Sequence, residues 1–350
     1  MFAPTIESLL MEVVKLGASD LHISVGKFPY VRQKDGRLVP LNDFKVDRSF
    51  FEKILQRVLK TENAAARLFE KEEIDVTYQL PNGERFRVNI GLARGVPFAV
   101  FRHLRSRIPD PFQLGIPEEF VKVVEEAEYG LILLGGTTGS GKSTTLASCI
   151  NYILKKYEEK VVTIEDPVEY LIGEEEGIKG YVVQREVGRD TKSFANALRA
   201  AMRQDPDYIV VGEVRDVETG RYCILAAETG HVVFATIHVK DAVSAVSRYI
   251  GMFPYEEQEY LRMRLIDQLL AIQVQFLLPS VDGGRVLATE FLKIDDEVRE
   301  LLQKRKVDQV RKLMKERKVG WVFEDDVKRL FKEGKISREV ALSFLSDLSG

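Results

Sequence analysis

Cysteine is almost absent from this 350-residue chain. Its two cysteines, Cys149 and Cys223, are too few for a disulfide framework or a four-thiolate zinc site, and both read as small buried hydrophobes. Long apolar runs are missing as well. No stretch approaches the roughly 20 residues needed to span a bilayer, and the N-terminus carries Glu7 and Glu12 within its apolar stretch with no basic lead, unlike a secretory signal. Direct membrane insertion is therefore not expected; a cytoplasmic chain would meet a membrane only through a partner. A strong charge of either sign is lacking too: 51 Lys and Arg against 54 Asp and Glu leave −3, so no global field favours nucleic acid.

What is present is a globular composition of 45% hydrophobic and 30% charged residues, over a length that suits two or three domains. Ile6, Leu9, Leu10, Val13 and Val14 recur at helical spacing, with Gly17 as a stop. Leu21, Ile23 and Val25 then alternate as a strand, while Asp35-Gly36 and Asn82-Gly83 mark tight turns. Residues 1–104 thus predict a small α+β domain. Pro109, Pro111, Gly115 and Pro117 punctuate the next segment, so 105–116 reads as a linker and a hinge. Beyond it, Leu131–Leu134, Val161–Ile164, Tyr208–Val211 and Val232–Thr236 are short buried runs separated by helical stretches, the pattern of a parallel sheet with helices on its faces. This α/β core is predicted over 117–294. From 295 to 350 charged segments studded with Leu and Val predict a helical appendage.

Gly136-Thr137-Thr138-Gly139-Ser140-Gly141-Lys142-Ser143 has the spacing G-x-x-x-x-G-K-[ST], preceded by a strand and followed by a helix-compatible run that starts near Lys142; Thr144 joins these eight as a candidate nucleotide-binding residue. Glycine lets successive backbone N–H groups curl toward phosphate oxygens, and the helix N-terminus aims its dipole at the same anion. Lys142 can reach the β- and γ-phosphates, and the Ser143 hydroxyl can ligate Mg²⁺. The motif specifies a nucleoside triphosphate site without naming the base.

Hydrolysis also needs a group that orients or deprotonates water, and carboxylates at the C-terminal ends of neighbouring strands are the natural candidates. Two runs qualify, Glu165-Asp166-Pro167-Val168-Glu169 after Ile164 and Gly212-Glu213 after Val211. His231 and His238 flank the run Val232–Ile237; their spacing fits no zinc pattern, and by themselves each reads as a satisfied structural histidine.

Four stretches together resemble the secretion ATPases that power type IV pili and type II secretion, and within them the retraction motors. They are the phosphate loop, Thr163–Glu169 (the family's Asp box), Asp205–Asp216 (its atypical Walker B) and Ala227–His238 (its His box), joined by Ala18–Ile23 near the start. The resemblance implies a PAS-like N-terminal domain, a RecA-like ATPase domain, ATP and Mg²⁺ as ligands, a ring homohexamer and an inner-membrane pilus platform protein as partner. It implies Glu165 as general base, Glu213 near Mg²⁺ and His231 as a γ-phosphate contact. Arg87, Arg94 and Arg102 match arginines that the family directs at phosphate across the ring, although alone they would read as strand-surface residues. The retraction signature near the C-terminus is altered at Glu297–Lys304, where Arg299 and Leu301 are retained. A retraction-accessory paralogue, another secretion or conjugation ATPase, or a nucleotide-gated scaffold with negligible turnover remain as alternatives.

Overall fold

Helix α1 (Ile6–Leu16) begins where its capping chemistry sits: the Thr5 hydroxyl accepts from Ser8 N at 3.1 Å while the Ser8 hydroxyl accepts from Thr5 N at 3.0 Å. It ends at Gly17, whose φ of 60° favours glycine. The computed structural model to which this helix belongs describes residues 4–33, 36–59, 73–104 and 107–349. The chain divides into two units, Met1–Arg107 and Ile108–Gly350.

The first unit is an antiparallel sheet of β1 (Asp20–Ser24), β2 (Tyr30–Arg32), β3 (Leu38–Pro40), β4 (Glu73–Gln79), β5 (Arg85–Ala93) and β6 (Val96–Leu104), in the order β3-β2-β1-β6-β5-β4. Alternation along each strand turns Leu21, Ile23, Phe86, Val88, Ile90, Ala99 and Phe101 to one core. Helix α1 and helix α2 (Arg48–Leu59) cover that face with Leu9, Leu10, Val13, Phe51 and Ile54. The turn at Asn82-Gly83 joins β4 to β5, with Gly83 at φ 91°. The turn expected at Asp35-Gly36 has Asp35 outside the described residues, while Gly36 has φ 85°.

In the second unit the four buried runs become parallel neighbours. Sheet order is β14-β13-β12-β7-β11-β10-β8-β9, for β7 (Gly130–Gly135), β8 (Lys160–Glu165), β9 (Tyr181–Glu186), β10 (Tyr208–Val211), β11 (Val232–Ile237), β12 (Leu269–Pro279), β13 (Arg285–Lys293) and β14 (Gly320–Trp321). Residues alternate between two cores: Leu131, Leu133, Ile209, Val211, Val233 and Ala235 enter one, Ile132, Leu134, Tyr208, Val210, Val232 and Phe234 the other. A sheet covered on both faces has no polar side, and this is why β7, β10 and β11 read as continuous apolar runs rather than alternating ones. Helices α3 (Glu118–Glu126) and α4 (Lys142–Lys156) pack on the second core, and α5 (Phe194–Ala201), α6 (Val217–Glu228), α7 (Ser244–Ile250) and α8 (Tyr255–Gln268) on the first. Cys149 and Cys223 are buried there, and burial pushes both thiols up to about 12.

The boundary between the two units differs from the sequence expectation. Ile108 and Ile116 are buried in the second unit's core, so the proline-rich stretch is docked from Ile108 onward; Arg105 and Ser106 lie outside the described residues. The C-terminal helices α9 (Asp296–Gln303), α10 (Val307–Lys315), α11 (Phe323–Lys332) and α12 (Arg338–Ser349) form the expected helical appendage, and it shares the core of the sheet. Val298, Leu302, Val310, Met314, Val327 and Leu330 join the same apolar cluster as the sheet, and Gly320–Trp321 extends that sheet by pairing with β13. Among the described residues, no helix is long and apolar enough to cross a membrane.

Candidate active site

The phosphate loop runs between the end of β7 and the start of α4. Gly136 carries φ 146°, and a Cβ there would lie 2.4 Å from Ser140 Oγ and 2.6 Å from Gln275 O, so only glycine lets the loop close onto β12. The Gln275 side chain fixes the far side of the loop by donating from Nε2 to Ser140 O at 2.8 Å. Lys142 folds back along the loop, its ammonium donating to Gly136 O at 2.8 Å and Thr137 O at 2.9 Å. Burial lowers its pKa, an effect that Glu213 and Glu169 oppose. Ser140 Oγ is buried with no hydrogen-bond partner among the described residues. A glycine cradle, an orphaned hydroxyl and a lysine held against main-chain carbonyls form an anion-binding loop, and they fit the phosphates of a nucleotide.

Across the C-terminal edge of the sheet, the strand order beyond β7 sets a sequence of side chains. His238 follows β11, Glu213 follows β10, and Glu165 closes β8. Register holds them at one level: Gly135 pairs with Ile237, and Val211 pairs with both Ala235 and Ile164. The Thr236 hydroxyl donates to Gly212 O at 2.5 Å and so fastens β11 to the turn that carries Glu213. Glu213 lies between Arg215 and His238, 2.5 Å from Arg215 Nη2 and 3.0 Å from His238 Nε2.

Glu165 is half-buried. Its Oε1 accepts from Thr163 Oγ1 at 2.6 Å and from Gln184 Nε2 at 2.9 Å. Burial pushes its carboxyl above the usual range; the Thr163 and Gln184 hydrogen bonds pull the other way without cancelling it. A carboxylate moved toward neutrality is better matched to accepting a proton near physiological pH. The loop is also tied to this strand's continuation, because the Thr144 and Tyr170 hydroxyls are 2.9 Å apart.

His231 requires a correction. In the parallel pair β11–β7, Val232 stands beside Gly130, and Gly130 N donates to His231 O at 3.1 Å, so His231 is at the opposite end of the sheet from the loop. Five residues of strand at about 3.3 Å each separate the two levels by roughly 17 Å, which rules out contact with a phosphate held by its own loop. Its Nδ1 instead donates to Ala226 O at 3.0 Å, a structural contact. The histidine beside the loop is His238, which the sequence motif left without a definite role.

The three arginines of the first unit divide. Arg87 and Arg102 are opposite each other on β5 and β6, on the face away from the core. Arg87 approaches Asp75 at 3.8 Å, and Arg102 donates to buried Asp20 at 2.8 Å. Burial would raise the Asp20 carboxyl, but hydrogen bonds from Ser19 and Arg102 outweigh it and hold the pKa below its ordinary value. Arg94 is at the tip of the β5–β6 hairpin in the two-residue turn Arg94-Gly95, with φ 54° and 75°. Arg94 is therefore seven residues along the strand from Arg87, about 23 Å, so the three do not form one cluster.

Ser143 and Glu213 supply a hydroxyl and a carboxylate, hard oxygen donors of the kind Mg²⁺ takes. Among the described residues no group of three or more His, Cys, Asp or Glu gathers that could hold a metal ion. Gln275, Gln184 and Tyr170 carried no sequence signal: a glutamine in an apolar strand is a hint only after its neighbours are known.

The model of the type II/IV secretion system protein family matches residues 1–341. The chain is 39% identical over 303 residues to the type IV pilus retraction ATPase PilT of Pseudomonas aeruginosa, with 86% of each covered. A crystal structure of the pilus retraction motor PilT with bound ADP superposes with a TM-score of 0.89 at 40% identity, over 97% of this chain and 96% of that one. The ATPase DotB of Legionella pneumophila gives 0.87 at 30% identity, over 98% and 95%.

Proposed function

We propose that this chain, which belongs to the type II/IV secretion system protein family, is a Mg²⁺-dependent ATPase of the pilus retraction type, converting hydrolysis into movement of its two units. The observation that carries the reading is the loop itself. Lys142 is held over a glycine cradle beside a strand edge bearing His238, Glu213 and Glu165 in order.

Lys142 would bind the phosphates and neutralise charge on the transferring group. Ser143 and Glu213 would hold Mg²⁺, which would supply positive charge to offset that of the phosphates. Glu165 is assigned the general base, supported by its polar clamp and its raised pKa. His238, donating to Glu213, takes the place beside the phosphates that the motif alone had assigned to His231. Arg87, Arg94 or Arg102 would act on nucleotide held by a neighbouring subunit of a homohexamer. Arg87 and Arg102 can serve one point together, and Arg94 a separate one. A cytoplasmic ring working on an inner-membrane pilus platform protein completes the reading.

Lys142→Ala tests it. Phosphate release should fall by about 10² to 10³, the usual cost of losing one preorganised charge-assisted donor, and nucleotide binding should weaken. Wild-type turnover in that variant would remove the ATPase assignment.

A further inference from the structure

Gln184 lies on β9, the edge strand, directly beside Thr163 in the parallel β8–β9 register. All of its amide is committed. Nε2 donates to Glu165 Oε1 at 2.9 Å and to Tyr170 O at 2.9 Å, while Oε1 accepts from Ile172 N at 2.8 Å. The main-chain donor at Ile172 fixes which end of the amide is oxygen, so the nitrogen must face the carboxylate. Thr163 Oγ1 reaches the same Glu165 oxygen at 2.6 Å, and two donors converging on one oxygen set the carboxylate's rotation.

The second branch of the amide leads to the phosphate loop. Tyr170, whose carbonyl Gln184 holds, is buried, and its hydroxyl meets Thr144 Oγ1 at 2.9 Å on the first turn of α4. One glutamine side chain thus joins the carboxylate that closes β8 to the segment that leans on the loop's own helix. An exposed structural glutamine needs no such set of partners.

We propose that Gln184 is a positioning residue for hydrolysis: it orients the Glu165 carboxylate and, through Tyr170 and Thr144, sets its place relative to the phosphate loop. This rests on the reading of Glu165 as general base. Gln184 touches no reacting atom, so its loss should be felt in the chemical step and not in nucleotide affinity, and it should be felt only while Glu165 is present.

The experiment uses the full-length protein and two variants. Gln184→Met keeps length and removes every hydrogen bond; Gln184→Glu keeps an acceptor for Ile172 N and removes the donors, so it remains informative if the methionine variant fails to fold. Steady-state and single-turnover hydrolysis of Mg²⁺-ATP, titration with a fluorescent ADP analogue and thermal unfolding are measured for each, alone and combined with Glu165→Gln. The expected result is a kcat at least about tenfold lower, in line with the cost of small misplacements, with ADP affinity within about twofold and no further single-turnover loss in the Glu165→Gln background. Unchanged kcat, a parallel loss of kcat and ADP affinity, or a loss that multiplies with that of Glu165→Gln would each overturn the positioning role. Wild-type turnover in Glu165→Gln alone would instead sink the base assignment and this inference with it, whereas an inactive Glu165→Gln beside fully active Gln184 variants would sink the inference only.

Discussion

Replacing His231 and His238 separately by alanine tests which end of β11 faces the nucleotide. The geometry sets the scale of both effects. His231 is at the level of Gly130, about 17 Å of strand below the loop, a gap no hydrogen bond spans. Its replacement removes the Nδ1 contact to Ala226 O at 3.0 Å, worth about 1 kcal/mol of stability, and should leave turnover within about twofold. His238 Nε2 is 3.0 Å from Glu213 Oε1, a hydrogen bond to a charged acceptor. Such bonds are worth about 1.5 to 3 kcal/mol, which corresponds to roughly 10- to 100-fold in rate if the whole difference is felt in the transition state. The His238 side chain is 39% exposed, so solvent competes and the lower half of that range is expected. Phosphate release at saturating ATP and Mg²⁺, run beside ADP titration and thermal unfolding, separates the two outcomes. An inactive His231→Ala of wild-type stability, or a His238→Ala with wild-type turnover, would refute the assignment made from the strand register.

Glu290 on β13 accepts from Ala242 N at 2.7 Å and Phe323 N at 3.3 Å, and burial, which those two bonds only partly offset, raises its pKa to about 7. A raised carboxyl contributes stability that is complete below its unfolded value of 4.5 and lost as pH rises through 7. The stability difference between wild type and Glu290→Gln should therefore shift by about 3 kcal/mol over that window, and parallel pH profiles of unfolding would exclude it. For the ring, mixing Lys142→Ala subunits with a variant carrying alanine at Arg87, Arg94 and Arg102 should restore hydrolysis, because a mixed junction pairs an intact loop with intact neighbouring arginines. Activity no greater than the sum of the two parents, with mixed hexamers verified by mass, would return those arginines to a structural role.

The phosphate loop, the carboxylates after Ile164 and Val211, and the four apolar strands were legible in the sequence because each is set by chemistry within a few residues. Glycine spacing makes the cradle, continuous Val, Ile and Leu runs announce a sheet covered on both faces, and a carboxylate after such a run must emerge at its end. Which of two histidines flanking one strand faces the loop was not legible. It depends on β11 lying parallel and next to β7, a pairing between segments about 100 residues apart. The same holds for Gln275, seated under Gly136 because β12 pairs with β7, and for Gln184, brought to Glu165 because β9 pairs with β8. Arg87, Arg94 and Arg102 looked alike in sequence until a hairpin put two of them face to face and the third at its tip. Local pattern determines which elements form and what chemistry their ends carry. Long-range strand order decides which of those ends meet, because hydrogen-bonded register is fixed by packing of the whole sheet and not by any one strand.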